Sequence, residues 1–522
     1  MSESRTRKSI INAQVSLFFA IVGFLLSFIS RPIFLDALGV EVVGLRTTIG
    51  GFISMLSLAE LGIGTAVAVT LYKPLNESNT KVINELVSLQ GFLYRIISFV
   101  VILAAIILLC FFPRIFSDME SPLWYAYGIY ILFIIPVILS YTITYKSIVL
   151  YADQKGYKVG IATHGINTVR SILQILVLLY GSGDNLFLYW LLLEFSSSLI
   201  GIVWLEFVTL REYPWLKLNL RRGRLYIKKY PQILKDTARV FVHQFAGVAL
   251  GQTTPMVTFA FASLTIVGLY GNYMVIVTSI SVVMGAIFGS ISSGIGSLVA
   301  EGNKSKSLRF FWEMISLRFF IGTIVVFGMI AFSQGFIMVW LGDEFLLSTL
   351  TVYLIVLVSY LGFTRTLEPF LTAHALFHDT WAPLTEAGLN IGLSVLLGYY
   401  WGLDGILMGV AISLIVIVRL WKPYFLFKEG FKEPTLSGYW KHYVKYPILC
   451  WGLSLVGMYL ISLLELRYKT FWDFIRNVAI ITPIFSAVAF GVFLAVSEGF
   501  RNITKRFWAI AARRFAFLPQ ID

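Results

Sequence analysis

Two opposite charges, Arg170 and Glu194, interrupt long apolar stretches of this sequence. Helical rise places Arg170 about 15 to 20 Å into a bilayer, and Glu194 at a similar depth on the next, antiparallel helix. A charge at this depth is costly unless it faces a partner or a water-filled cavity. The two residues are therefore candidates either for a binding or ion-coupling site or for a structural ion pair between neighbouring helices.

Two further arginines, Arg31 and Arg46, lie near the outer ends of the first two apolar segments. A guanidinium group bonds two phosphate oxygens at once and stays charged at any physiological pH. Together with Arg170, these residues are candidates for binding a phosphate-bearing group. The alternative is that the side chains of Arg31 and Arg46 extend to lipid headgroups at the membrane surface.

A third candidate carboxylate, Glu60, lies in the cytoplasmic half of the second apolar segment. A protonatable group in a cavity wall can couple transport to a proton or sodium gradient. The alternative for Glu60 is an ion pair with a nearby basic residue such as Arg95, which would shape an inner gate.

Two other polar groups have simpler interpretations. Arg365 and Glu368 are three residues apart and are expected to form an ion pair within one helix. His374 and His378 have helical spacing and Asp379 follows them, but no further ligand is apparent, so no metal site or cofactor is expected.

Glycines in two predicted helices allow close helix approach or bending. They include Gly62 and Gly64 in the second helix and Gly294 and Gly296 in the eighth. We expect Gly294 and Gly296 to contribute to gating.

The composition places these residues in a membrane protein. The chain has 522 residues, of which 58% are hydrophobic and only 13% charged, and its mean hydropathy is +0.81. So few charges cannot cover a soluble globule of this size. Runs of about 20 apolar residues favour membrane-spanning helices and exclude the strands of a barrel.

The apolar segments predict an all-α polytopic protein with about 14 transmembrane helices. The expected organisation is an N-terminal lobe of six helices (1–210), a basic cytoplasmic linker (211–239), a C-terminal lobe of six helices (240–427), and two accessory helices with a basic tail (428–522). The uncharged run from Val240 to Ala300 is predicted to form two helices with a turn between Ser263 and Gly271. The basic linker is predicted to include a short amphipathic helix on the membrane surface.

Basic residues predict the orientation. When loops are assigned alternately to the two sides, most of the 41 lysines and arginines fall on the side that carries both termini. The positive-inside bias places this side in the cytoplasm. The formal net charge of +13 is thereby explained by topology and anionic lipid, and no nucleic-acid partner is expected.

Matching landmarks indicate that the six-helix unit is duplicated. Val43-Gly44-Leu45 recurs as Val267-Gly268-Leu269, Asn167 is matched by Asn390, and Tyr180-Gly181 by Trp401-Gly402. The separation stays near 222 residues, as an old tandem duplication with small loop changes would leave it. Repeats of this kind are typical of transporters.

The opening of the chain resembles a known family. The matching residues are Ser30-Arg31-Pro32-Ile33, Leu38-Gly39, Val43-Gly44-Leu45 and Leu58-Ala59-Glu60-Leu61-Gly62-Ile63-Gly64. They are similar to the polysaccharide-transport branch of the MOP exporter superfamily, which includes the Wzx-type flippases of O-antigen and capsule repeat units. The similarity is close over the first two helices and loose over the rest of the chain.

This resemblance implies two lobes around a central cavity, lined in part by the first two helices. It implies a bacterial inner-membrane flippase that moves a polyprenyl-diphosphate-linked oligosaccharide to the outer leaflet by alternating access. Membrane lipids, a coupling ion (H⁺ or Na⁺) and a polysaccharide polymerase are the partners considered.

Two other functions remain open. A cation-coupled drug exporter of the same superfamily typically relies on acidic cavity residues, whereas the first helix carries Arg31 and no carboxylate before Asp36. A polysaccharide polymerase or glycosyltransferase usually has a large outer loop or an acidic catalytic cluster, and neither is visible in the sequence. We therefore expect a transporter rather than an enzyme.

Overall fold

The computed structural model describes residues 5–60, 62–183, 185–300, 302–374, 376, 379, 381–432, 436–464 and 470–514. All regular structure in these ranges is helical, as the apolar runs predict. Eleven helical stretches of the described chain are long and apolar enough to cross a membrane. The chain forms two compact units, Met1–Gly268 and Leu269–Asp522.

The first unit is built from long antiparallel helices joined by short turns. Its helices are α1 (Arg5–Leu56), α2 (Ile63–Asn76), α3 (Thr80–Ile115), α4 (Trp124–Thr142), α5 (Ile148–Ala152), α6 (Gly156–Tyr180), α7 (Leu186–Glu212), α8 (Gly223–Lys229) and α9 (Pro231–Phe261). The helix α10 (Leu264–Ala300) begins at the end of this unit and continues into the second.

The remaining helices belong to the second unit. They are α11 (Lys304–Trp340), α12 (Thr349–Phe363), α13 (Leu367–Ala373), α14 (Trp381–Leu414), α15 (Lys422–Phe425), α16 (Ser437–Tyr443), α17 (Lys445–Ser462), α18 (Phe471–Val496) and α19 (Glu498–Arg514). Two π-helical stretches, Ile415–Trp421 and Leu426–Gly430, extend α14 without a loop.

Two of the membrane-spanning stretches contain a break. The first, Gln14–Leu56, has 43 residues and leaves helical geometry at Gly39, whose φ is 81°. The second, Trp381–Gly430, has 50 residues and breaks at Trp401 and Gly402. At 1.5 Å per residue, each stretch is long enough for two crossings of about 30 Å. The number of about 14 transmembrane helices stays a prediction.

The turn predicted inside the uncharged run Val240–Ala300 begins slightly earlier than expected. The helix α9 ends at Phe261 and α10 starts at Leu264, so the chain reverses at Ala262 and Ser263. Ser263 accepts a bond from the amide of Ile266 through its hydroxyl, which caps the start of α10.

The repeated Val-Gly-Leu landmarks meet within the first unit. A Cβ on Gly44 would lie 1.8 Å from the carbonyl oxygen of Leu264, and a Cβ on Gly268 would lie 2.4 Å from that of Val40. Both positions therefore require glycine, because the backbones of α1 and α10 touch there. In the predicted repeat these two contacts are equivalent, because the offset that relates Gly44 to Gly268 also relates Val40 to Leu264.

The basic linker is packed against α3. A Cβ on Gly223 would lie 2.2 Å from Phe92, and the Glu85 carboxylate accepts bonds from the Lys229 ammonium (2.5 Å) and the Tyr230 hydroxyl (2.6 Å). The helix α8 thus rests on protein, while Leu225 on its other face is exposed. The predicted boundaries of lobes, linker and accessory segment stay predictions.

Candidate functional site

The predicted partners Arg170 and Glu194 lie against each other on α6 and α7. The Nη1 atom of Arg170 donates to Oε1 of Glu194 at 2.6 Å. A third group joins them from α1, because Nη2 of Arg46 lies 3.8 Å from the same carboxylate oxygen. The three residues form a cluster with two cations around one buried carboxylate.

Neighbouring side chains fix this cluster. The Gln174 amide donates to Oε2 of Glu194 at 3.0 Å and to the carbonyl oxygen of Trp190 at 3.2 Å. The Arg46 guanidinium lies 5.5 Å from the centre of the Trp190 ring, within the range of a cation–π interaction. Both oxygens of Glu194 therefore have donors, as a buried carboxylate requires.

Arg31 and Arg46 line one cavity of the first unit. Its volume is about 440 Å³, and its wall is formed mainly by α1, with the lining residues Ser30, Arg31, Phe34, Val43, Arg46, Thr47, Gly50, Ser54 and Phe133. Arg31 also donates from Nη2 to the carbonyl oxygen of Gly268 at 3.4 Å. Arg170 is not in this wall, but it is joined to it through Glu194 and Arg46.

The hydroxyl groups of the cavity have a defined polarity. Those of Thr47 and Ser54 donate to the carbonyl oxygens of Val43 and Gly50 on their own helix, at 2.8 and 2.9 Å. With their protons used in this way, the oxygens face the cavity as acceptors. The cavity thus offers guanidinium donors for an anion and hydroxyl acceptors for groups such as sugar hydroxyls.

Glu60 lies at an interruption of the second predicted helix. The helix α1 ends at Leu56, a tight turn covers Ser57–Glu60, and α2 starts only after Gly62, whose φ is 95°. Only glycine adopts this backbone geometry without strain, so Gly62 permits the break. The hydroxyl of Tyr94 donates to Oε1 of Glu60 at 2.7 Å, whereas Arg95 is exposed.

Gly294 and Gly296 lie in the helix α10, but the structure does not describe what surrounds them. Their role in gating stays a prediction, as do the roles of Glu60 and Glu194 in coupling.

The predicted ion pair between Arg365 and Glu368 is present and belongs to a larger network of the second unit. Nε of Arg365 lies 3.2 Å from Glu368, while its Nη2 donates to the buried Glu386 at 2.7 Å. Glu368 is also bonded by the ammonium of Lys422 at 3.1 Å. Two carboxylates and two cations balance each other here.

His374 and Asp379 are both among the described residues. Within these residues, no group of three metal-binding side chains occurs. His378 lies outside the described residues. Burial lowers the pKa of His374, because it disfavours the charged imidazolium.

Two arginines of the second unit are functional candidates that the sequence pattern does not predict. Arg318 lies about four turns into α11 and lines a cavity. Arg419 is 6% exposed and donates to the carbonyl oxygens of Leu361 and Thr364, each at 3.2 Å. The apolar sequence after Arg318 is the feature that could predict its position, because it continues the helix on which this residue lies.

No protein-family model matches the sequence, and no curated protein matches it. Solved structures match it over most of its length at low identity. The lipid II flippase MurJ in an inward closed conformation is 15% identical, with a TM-score of 0.64, over 93% of this chain and 99% of that one.

Two other transporters match over a shorter part of the chain. An inward-facing multidrug resistance MATE transporter of the MOP superfamily is 13% identical, with a TM-score of 0.58, over 81% of this chain and 99% of that one. A MOP superfamily transporter from Pyrococcus furiosus is 13% identical, with a TM-score of 0.52, over 82% and 95%. The chain therefore has the fold of the MOP superfamily transporters.

Proposed function

We propose that this protein is a flippase that moves a polyprenyl-diphosphate-linked oligosaccharide from the cytoplasmic to the outer leaflet for surface polysaccharide synthesis. It acts by alternating access in the bacterial inner membrane, with both termini in the cytoplasm. The observation that carries the proposal is the placement of Arg31 and Arg46 on one cavity of about 440 Å³. Known ligand pockets range from about 300 to 1,000 Å³.

The charges support a diphosphate as the bound group. Two guanidinium groups, those of Arg46 and Arg170, lie at the one carboxylate of the described cluster, Glu194, and the guanidinium of Arg31 lines the same cavity as Arg46. A diphosphate that links a lipid to a sugar carries two negative charges. Its transfer across hydrocarbon is strongly unfavourable unless the protein supplies opposite charge along the path.

A cationic drug is a poorer ligand for the same cavity. The only acidic group of the described cluster, Glu194, is already bonded by Arg170 and Gln174 and lies near Arg46. A second cation brought to this wall would be repelled by Arg31 and Arg46. The observed charges thus favour the flippase over the multidrug exporter.

The decisive experiment is transport by the purified protein in proteoliposomes. A labelled polyprenyl-diphosphate oligosaccharide should reach the opposite leaflet with the wild-type protein. The variants Arg31→Gln and Arg46→Gln should each slow this step about tenfold or more, since each loses charged hydrogen bonds to the diphosphate.

The matched control is Arg114→Gln, because Arg114 lies near the end of α3, is exposed, and is not part of the cavity wall. Its transport rate should equal that of the wild type. A folded Arg31→Gln/Arg46→Gln double variant that transports at the wild-type rate would refute the assignment of the cavity. Proton-driven efflux of a cationic dye, without movement of the lipid, would instead favour the exporter.

A further inference from the structure

The second unit contains a cavity of its own, which the proposed function does not use. Its volume is about 530 Å³, and it lies among α10, α11, α12 and α14. Most of its wall is apolar and includes Met284, Phe288, Ile355 and Phe363, while Arg318 and Arg365 provide the cationic groups.

Arg365 is already neutralised by the network on its other side. Its two acidic partners, Glu386 and Glu368, lie at 2.7 and 3.2 Å. Glu368 in turn receives Lys422 at 3.1 Å. These four groups balance in charge, so they hold Arg365 in place without attracting a further anion.

Arg318 is the unbalanced charge of this cavity. Its guanidinium carbon lies 4.4 Å from the centre of the Phe288 ring, and its buried Nε has no hydrogen-bond acceptor among the described residues. Among the described residues, no carboxylate lies within ion-pair distance of the Arg318 guanidinium. The charge of Glu368 reaches Arg318 only from beyond ion-pair distance, and this carboxylate is already paired with Arg365 and Lys422. A cation held inside an apolar helical segment without a counter-charge in contact is costly, and a bound anion would lower this cost.

We propose that this cavity binds a phosphate-bearing lipid, with the phosphate on Arg318 and the hydrocarbon chain along the apolar wall. The guanidinium fork fits phosphate oxygens, and Phe288 orients it by stacking. The apolar side chains favour a lipid over a free anion, because a soluble phosphate would leave this surface in contact with water. The inference stands independently of which substrate the protein transports.

Binding to the purified full-length protein in detergent tests this site. The probes are a short-chain phosphatidic acid, a diacylglycerol with the same chains but no phosphate, and inorganic phosphate. The wild-type protein should bind phosphatidic acid more tightly than either of the other two. Arg318→Gln should weaken the binding of phosphatidic acid about tenfold, through the loss of a charged hydrogen bond.

The matched control is Arg309→Gln, which removes the same charge from an exposed position of the same helix. It should bind phosphatidic acid as the wild type does. A conservative second variant, Arg318→Lys, should retain part of the affinity because it keeps the charge. The melting temperature of each variant without lipid shows whether it is folded.

Two results would overturn the inference. One is wild-type affinity for phosphatidic acid in folded Arg318→Gln. The other is inorganic phosphate bound as tightly as phosphatidic acid, which would make this a site for a free anion. The cavity of Arg31 and Arg46 also suits a phosphate group, so binding is compared in the Arg31→Gln/Arg46→Gln background with and without Arg318→Gln. Binding in this background reports on Arg318 alone, whereas transport reports on the proposed function, so the two failures can be told apart.

Discussion

Oε1 of Glu194 receives Nη1 of Arg170 at 2.6 Å, which joins α6 to α7 inside the first unit. The same oxygen lies 3.8 Å from Arg46 on the cavity wall. The ion pair therefore has two roles in this geometry: it holds two helices together, and it positions the carboxylate that faces a cavity arginine.

Removing one partner of this pair should destabilise the protein. Glu194→Gln leaves Arg170 buried without its counter-charge, at a cost of about 3 kcal/mol or more. Arg170→Gln should have a similar effect, because it leaves the carboxylate with only Gln174 and the more distant Arg46. The melting temperature in detergent measures both changes.

The double variant Arg170→Gln/Glu194→Gln is the control for this prediction. Two neutral amides can bond each other, so it should be more stable than the sum of the single changes predicts. Strictly additive losses would show that the pair contributes no coupling energy.

The glycines of the repeated landmark should not tolerate alanine. Gly44→Ala places a methyl group on the carbonyl oxygen of Leu264, and Gly268→Ala places one on that of Val40. Each change should cost about 1 to 3 kcal/mol, because the two helices must move apart.

Gly50→Ala is the matched control on the same helix, where a Cβ meets no atom within 4 Å. It should be neutral or stabilising, since alanine is the better helix former. Equal melting temperatures for all three variants would contradict the close crossing.

The C-terminal helix α19 should depend on one ion pair. Nη1 of Arg506 lies 3.1 Å from Oε2 of Glu313 on α11, and the Glu313 side chain is fully buried. Arg506→Gln should loosen α19 and expose it to limited proteolysis, at a cost of about 1 to 2 kcal/mol once the half-exposed position of Arg506 is considered.

The neighbouring variant Lys505→Gln removes the same charge from an exposed residue. Its cleavage rate should match the wild type. If both variants were cleaved equally fast, the net charge of the helix rather than the ion pair would hold it in place.

The hydroxyl of Tyr94 should be needed at the break after α1. Tyr94→Phe keeps the aromatic ring and removes the hydroxyl with its bond to Glu60 at 2.7 Å, at a cost of about 1.5 to 3 kcal/mol for a bond to a charged group. Tyr72→Phe is the control, because Tyr72 is exposed. Thermal unfolding and transport should be measured together. A normal melting temperature in folded Tyr94→Phe would show that another donor replaces the hydroxyl.

Helix positions could be predicted from the sequence because hydrocarbon imposes a simple rule: backbone groups must be bonded within the segment, and side chains facing lipid must be apolar. The same rule made Arg170 and Glu194 conspicuous, and equal depth on antiparallel neighbours was enough to expect their contact. The repeat read from the short landmarks stays a prediction.

Only the tertiary structure decided which distant groups meet. That Arg46 joins Glu194, that Tyr94 rather than Arg95 bonds Glu60, and that Arg318 lines a cavity depend on the rotation of each helix about its axis and on the partners it packs against. Hydropathy does not encode this rotation in helices that are apolar on all sides. Close packing and the high cost of an unpaired charge fix it, and both act only when the helices are together.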